Sequence, residues 1–294
     1  MFANSRLTQQ GNTETAVGQA DKVHVELSGP PQTMLEMLYA KALDASAARP
    51  ILGDVYAKQL VDQLDYDWGK TGIARQRRRQ VPSVAVRGAQ FDIWTSQFLS
   101  VHDRAVVLHL GCGLDSRVFR LDPGPGVEWY DLDYPDVITL REQLYPAREH
   151  YHLLSASATD PSWLAAIEED RPALLLAEGL SMYLTEDEGV ALLRRVVERF
   201  PTGELQLDVW NRLGIRAQQK TNKVVTCSGS TLGWAVNGPD DILGRVPAAR
   251  LMVAFSLFEA EPVERLTRVP RLVARTASRI PGLRRIIQLH RYAF

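Results

Sequence analysis

Apolar and polar positions along the chain fall into two regimes. Up to about residue 100 the apolar residues recur at helical spacing, which predicts helices over residues 32–45, 54–64 and 83–100. From Ala105 onward short apolar runs bounded by turn residues take over. Residues 105–110, 127–133, 151–156, 173–177 and 205–209 read as strands, and the nearly unbroken apolar run at 173–177 suits a central parallel strand covered on both faces. Two intervening helices carry start signals. Asp160 stands before Pro161, which at a first helical position loses nothing by lacking an N–H. Thr185 and Glu188 form a capping-box pattern ahead of Val190, Leu193, Val197 and Phe200, which share one helical face. Alternating strand and helix implies parallel pairing through right-handed crossovers. The expected fold class is therefore α/β, a doubly wound Rossmann-like sheet behind an N-terminal helical lid.

Residues 1–20, rich in Asn, Thr, Gln and Gly, read as a disordered leader. Residues 21–294 read as a single domain: a helical cap over 21–104, then an α/β core over 105–294 with a substrate-pocket insert at about 211–260. A net charge of −1 leaves no basic field for nucleic acid. The two cysteines, Cys112 and Cys227, make no disulfide scaffold and suit a reducing cytoplasm, and no metal-ligand spacing occurs. No apolar run reaches the roughly 18 residues of a spanning helix, so no membrane is expected; the oligomeric state stays open. The basic run at 75–79 reads as a solvated loop or a patch for an anionic substrate. The tail over 265–294 has several arginines and no acid, which admits an amphipathic membrane-surface helix. Pro270, Pro281 and Gly282 interrupt it and the end resembles a terminal strand, so docking onto the sheet is expected instead.

In a doubly wound sheet ligands bind beyond the carboxyl ends of the strands. Here the first strand runs straight into Gly111-Cys112-Gly113, whose glycines allow a tight turn and close approach of backbone to ligand. Ser116 stands where a dinucleotide site has its third glycine, which disfavours NAD and favours a nucleoside ligand without phosphates. Asp133 ends the second strand at the spacing of a ribose-binding carboxylate; Asp131 shares its face, and periodicity does not separate the two. Arg87 falls on the apolar stripe of Val84, Phe91, Trp94 and Phe98. A charge there needs a partner, either a structural carboxylate or an anionic ligand group. Lys41 is similarly placed between Leu38 and Ala45.

Three ordered motifs carry a family resemblance: residues 108–121 around the glycine loop, 129–137 around Asp131 and Asp133, and 177–184 around Glu178. They resemble the leucine carboxyl methyltransferase family, within the class I S-adenosylmethionine-dependent methyltransferases, over nearly the whole chain. The resemblance implies S-adenosylmethionine as cofactor. It implies Arg87 at the methionyl carboxylate with Lys41 near it, Gly111 beside the methionyl backbone with Gly113 also in the cofactor-binding loop, Asp133 on the ribose and Glu178 near the amino group. Adenine recognition would fall at Ser157 and Ala158. His109 stands where many members of the wider class have an acid. The implied reaction is O-methylation, esterifying a carboxylate of a polyketide-like or aromatic small molecule in secondary metabolism.

Methyl transfer from a sulfonium needs no metal, and its main demand is alignment. A carboxylate acceptor is already ionised at neutral pH, whereas a phenol benefits from a base. Base candidates are Tyr183 and His24, the latter on a segment that could fold over the site or lie on the surface. His102, His150 and His152 border strands and read as structural or exposed. Tyr183, Trp210, Asn211, Trp234 and Asn237 supply aromatic walls and polar anchors suited to a flat acceptor, or ordinary packing. Rival readings are a phenolic O-methyltransferase, a nicotinamide-dependent oxidoreductase and a non-catalytic cofactor-binding protein.

Overall fold

A computed structural model describes residues 22–25, 32–75, 79–222, 225–226 and 231–294. The expected leader at 1–20, Cys227 and most of the basic run at 75–79 lie outside the described residues. The cap comprises a short strand β1 (Val23–His24), helix α1 (Gln32–Ala45), α2 (Val55–Gln63), β2 (Leu64–Asp65), α3 (Gly72–Arg75) and the long α4 (Val81–Leu99). Its helices are tied down by buried carboxylates. Glu36 accepts the Gly72 and Ile73 N–H groups at 2.7 and 3.0 Å, and Asp44 accepts those of Ile51, Leu52 and Gly53. The parallel pairing of β1 with β2 carried no signal in so short a run.

The core alternates as expected: β3 (Ala105–Leu110), α5 (Arg117–Leu121), β4 (Val127–Asp133), α6 (Pro135–Leu144), β5 (Tyr151–Ser155), α7 (Ser162–Ala165), β6 (Ala173–Ala177), α8 (Glu186–Arg199), β7 (Gly203–Trp210) and α9 (Arg212–Thr221). Two further strands, β8 (Arg250–Ser256) and β9 (Ile287–Ala293), complete a seven-stranded sheet of order β5-β4-β3-β6-β7-β9-β8. β9 runs antiparallel to both neighbours and is the terminal strand the tail predicts, whereas β8 lies inside the stretch expected as a pocket insert. The capping of helix α7 differs by one residue from expectation: Pro161 is the cap and Asp160 accepts the Ser162 N–H at 2.9 Å. The capping box of Thr185 and Glu188 is present.

Alternate residues of β3 and β6 feed two cores. Val106, Leu108, Leu110, Leu175 and Ala177 pack with α8 on one face; Val107, Leu174 and Leu176 pack with Phe91, Trp94 and Phe98 of α4 on the other. The reversal of strand order beside β3 leaves a crevice at the carboxyl ends of β3 and β6, the place such sheets reserve for ligands.

Trp234 was a candidate for the substrate wall, but it is buried in the α8 core with its ring against Gly189. A Cβ at Gly189 would collide with that ring. Gly189→Ala is therefore expected to destabilise the protein by about 1–3 kcal/mol through overpacking. Helix propensity alone would give a gain of up to ~1 kcal/mol, so the sign of the shift in a urea midpoint decides between them.

Candidate active site

The glycine loop is held from behind. Gly111 and Gly113 adopt φ of +63° and +51°, a left-handed geometry that glycine takes without a Cβ penalty. The Gly111 and Cys112 N–H groups donate to the Leu132 carbonyl, pinning the loop to β4. Arg141 of α6 donates to the Gly113 and Asp115 carbonyls at 2.7 and 3.0 Å, and Tyr145 donates to the Leu114 carbonyl at 2.9 Å.

The two acids at the end of β4 separate cleanly. Asp131 is fully buried and accepts from His109 Nδ1 (2.8 Å), Trp129 Nε1 (2.9 Å), the Tyr151 hydroxyl (2.8 Å) and Arg141. It is committed to the scaffold. Asp133 is half-buried at the cavity wall and accepts the Gly113 and Tyr134 N–H groups at 2.7 and 2.8 Å. Burial raises its carboxyl above the ordinary value, against the pull of those two N–H groups.

Beside the loop lies a buried ion network. Arg87 donates through Nε to Glu178 (3.1 Å) and through Nη1 to Asp208 (2.9 Å), so its charge is met by a pair of buried carboxylates. Among the described residues its Nη2 meets only the weak acceptor Met37 Sδ, at 3.8 Å. Arg117 joins Glu178 (2.5 Å) to Asp92 (2.7 Å), and Arg120 joins Asp92 to Asp115 (2.6 Å) and Asp54 (3.3 Å). Lys41 donates to Asp115 at 2.7 Å. Burial alone would raise the Glu178 carboxyl, but Lys41, Arg117 and Arg87 hold it down to about 2. Asp115 is likewise held well below the usual range by Arg117, Arg120 and Lys41, in spite of its burial. Asp208 goes the other way, because burial outweighs Arg87 and the Gly179 N–H it accepts. That bond fixes the left-handed turn of Gly179, φ +74°.

A cavity of about 290 Å³ opens over these groups. Lys41, Arg87, Gly111, Gly113, Asp133, Glu178, Tyr183 and Trp210, all singled out in the sequence, line it. So does His109, whose Nε2 faces Arg117 at 3.5 Å while its Nδ1 meets Asp131, so that the ring lies between the two charged groups. Trp210 presents its ring to the cavity, and its buried Nε1 has no hydrogen-bond partner among the described residues.

Other candidates are not brought here. Ser157 and Ala158 follow β5 and do not line the cavity; the Ser157 hydroxyl pairs with Thr159 at 2.8 Å. Asn237 is exposed and bonded to Asp241 and the Arg212 N–H, while Asn211 caps α9 through the Gly214 N–H. His24 is exposed on β1, 3.4 Å from Asp65, away from the cavity wall. Sequence reasoning missed Asp208, Met37 and Tyr134. For Asp208 there was a signal, an acid within the apolar strand at 205–209.

The sheet order, the antiparallel β9 and the glycine loop facing an acid at the end of the next strand define a class I methyltransferase fold. A protein of Thermobifida fusca assigned as a methyltransferase shares this fold at 17% identity, with a TM-score of 0.59 over 86% of this chain and 93% of its own. The family model described as leucine carboxyl methyltransferase matches residues 34–197. The tetracenomycin polyketide synthesis O-methyltransferase TcmP of Streptomyces glaucescens is 40% identical over 270 residues, covering 92% of this chain and 98% of its own. The S-adenosyl-L-methionine-dependent methyltransferase dpfgK of Gibberella zeae is 35% identical over 78% of this chain and 83% of its own. The chain belongs to the leucine carboxyl methyltransferase family, and its cofactor is S-adenosylmethionine. The oxidoreductase alternative falls with that membership.

Because Glu178 titrates near 2 in the folded protein against an ordinary 4.5, its ionised form stabilises the fold above 4.5 and that contribution fades as pH falls toward 2. Glu178→Gln should flatten the loss of stability across that acid window, measured as urea midpoints over a pH series.

Proposed function

We propose that this methyltransferase esterifies a carboxylate of a polyketide-like or aromatic small molecule. One observation carries the choice of acceptor: of the six histidines in the chain, only His109 lines the cavity, and both its ring nitrogens are engaged. The others are accounted for elsewhere. His24 lies beside Asp65, His102 stacks on Phe98, His150 and His152 bond Glu128, and His290 is buried beside Tyr292. Tyr183 is a poor base as well, since burial raises its hydroxyl, and it bonds Thr33. A carboxylate, ionised at neutral pH, needs desolvation and orientation rather than a base.

The cavity residues fit S-adenosylmethionine, which when bound supplies a methyl group on a positively charged sulfur. Gly111 and Gly113 leave the loop backbone bare at the wall, and a Cβ on Gly113 would stand 3.2 Å from Met34. Asp133 retains acceptor capacity for ribose hydroxyls beyond its two backbone bonds. Arg87 would hold the methionyl carboxylate through Nη2, and Glu178 would sit near the amino group. In the network four cations (Lys41, Arg87, Arg117, Arg120) face five carboxylates (Asp54, Asp92, Asp115, Glu178, Asp208). That surplus of negative charge suits a ligand whose own charges sum to one positive. Tyr183 and Trp210, with Met37 and Leu232, offer apolar surface to a flat acceptor.

The relatives support this reading: TcmP is named as an O-methyltransferase of polyketide synthesis. The test is methyl transfer from labelled cofactor to a panel of carboxylic acids and phenols, followed by mild alkali. Release of labelled methanol is expected; an alkali-stable product would identify an aryl ether and remove the carboxylate assignment. Independently, Asp133→Asn should weaken S-adenosylhomocysteine binding by about 10–100-fold in calorimetry. Since the Asp133 carboxyl is raised, wild-type affinity should begin to fall at a higher pH than an ordinary carboxylate would dictate, and the variant should lose that limb.

A further inference from the structure

The arginine-rich tail forms a continuous helix, Arg268–Arg279, despite its prolines. Pro270 falls in the first turn, where its missing N–H breaks no helical bond, and Pro281 starts a separate turn at Pro281–Arg284. The helix has three faces. Ala274 and Ala277 are buried, and their small side chains let it sit against the turn at Leu257–Glu259. A second face leaves Val269, Leu272 and Val273 exposed by 73, 66 and 62%, continued by the exposed Ile280 and Leu283. Along the third run Arg268, Arg275 and Arg279, with Arg284 and Arg285 just beyond the end. The helix therefore docks through its alanine face and leaves the larger apolar residues uncovered.

We propose that this face binds an anionic lipid surface, the apolar ridge entering the headgroup boundary and the arginines meeting lipid phosphates. Charge complementarity points there. Residues 265–285 hold seven arginines and no acid, in a chain whose net charge is −1. Glu264 engages Arg271 and Arg275, and Glu259 engages Arg284, but Arg268, Arg279 and Arg285 have no ion-pair partner among the described residues. A second copy is disfavoured, because a two-fold contact would set one arginine row against the other. A protein partner fits less well than lipid, because the exposed Val, Leu and Ile lack the aromatic anchors that dominate protein hot spots. A lipid interface accepts any convex amphipathic helix with a basic flank. No helix among the described residues is long and apolar enough to cross a membrane, so the contact is with the surface only.

The test is co-sedimentation of the full chain with vesicles of phosphatidylcholine alone and of equimolar phosphatidylcholine and phosphatidylglycerol. Binding is expected to the mixed vesicles, falling with salt. Leu272→Ser/Val273→Ser and Arg268→Glu/Arg279→Glu should each reduce it by about tenfold or more. Because all four residues are exposed, thermal melts and S-adenosylhomocysteine affinity should match the parent, which separates lost docking from lost folding. No binding to the mixed vesicles, or binding that both variants retain, would overturn the proposal. So would concentration-dependent dimerisation abolished by the same substitutions, which would assign the face to a second copy. Retention on poly-glutamate without vesicle binding would assign it to an acidic protein.

Discussion

Helices α1, α4 and α5 and the ends of β6 and β7 meet at the cavity through one buried network of arginines, a lysine and carboxylates. A buried charge costs several kcal/mol unless it is paired, and removing one partner typically destabilises by about 3–5 kcal/mol. Lys41 on α1, Arg87 on α4, Arg117 and Arg120 on α5, Glu178 after β6 and Asp208 on β7 therefore cannot move independently. The cap and the sheet come from distant parts of the chain, yet they share a single electrostatic solution. Arg141 plays the matching role behind the glycine loop, joining Asp131 to the loop carbonyls.

Replacing such a network with hydrophobic residues is often neutral or favourable for stability, so its presence at the mouth of the sheet calls for a functional reason. The proposed cofactor site would supply one, since a buried carboxylate surplus would offset the charge of a cationic ligand. The same arrangement limits the chemistry. His109 is locked between Asp131 and Arg117, and Tyr183 is held toward its neutral form, so the site orients and desolvates better than it removes protons. The proposed esterification asks for no more than that.

Much of the fold was legible because its signals are local. The run at 173–177, the capping box at Thr185 and the glycines after Leu110 each reflect physics acting over a few residues. Arg87 was legible as a misfit, a charge on an apolar stripe, although its partners were not. Trp234 and Asn237 were misplaced because composition says that an aromatic or an amide needs a partner, and not whether that partner is core, solvent or ligand. The terminal strand of the tail was legible, but the helix at Arg268–Arg279 was not, because Pro270 breaks a helix only in its interior and here falls in the first turn.

What the sequence by itself determined is the strand–loop–helix unit around Gly111 and Gly113, the acid at the end of the next strand, and the family they belong to. The tertiary structure alone decided between Asp131 and Asp133, which share a face of β4. The first is enclosed by His109, Trp129, Arg141 and Tyr151, and the second is left at the cavity wall. It also decided that Arg87 pairs with Glu178 and Asp208, 91 and 121 residues away. Periodicity reports which way a residue faces along one element; what it meets there depends on how distant elements pack.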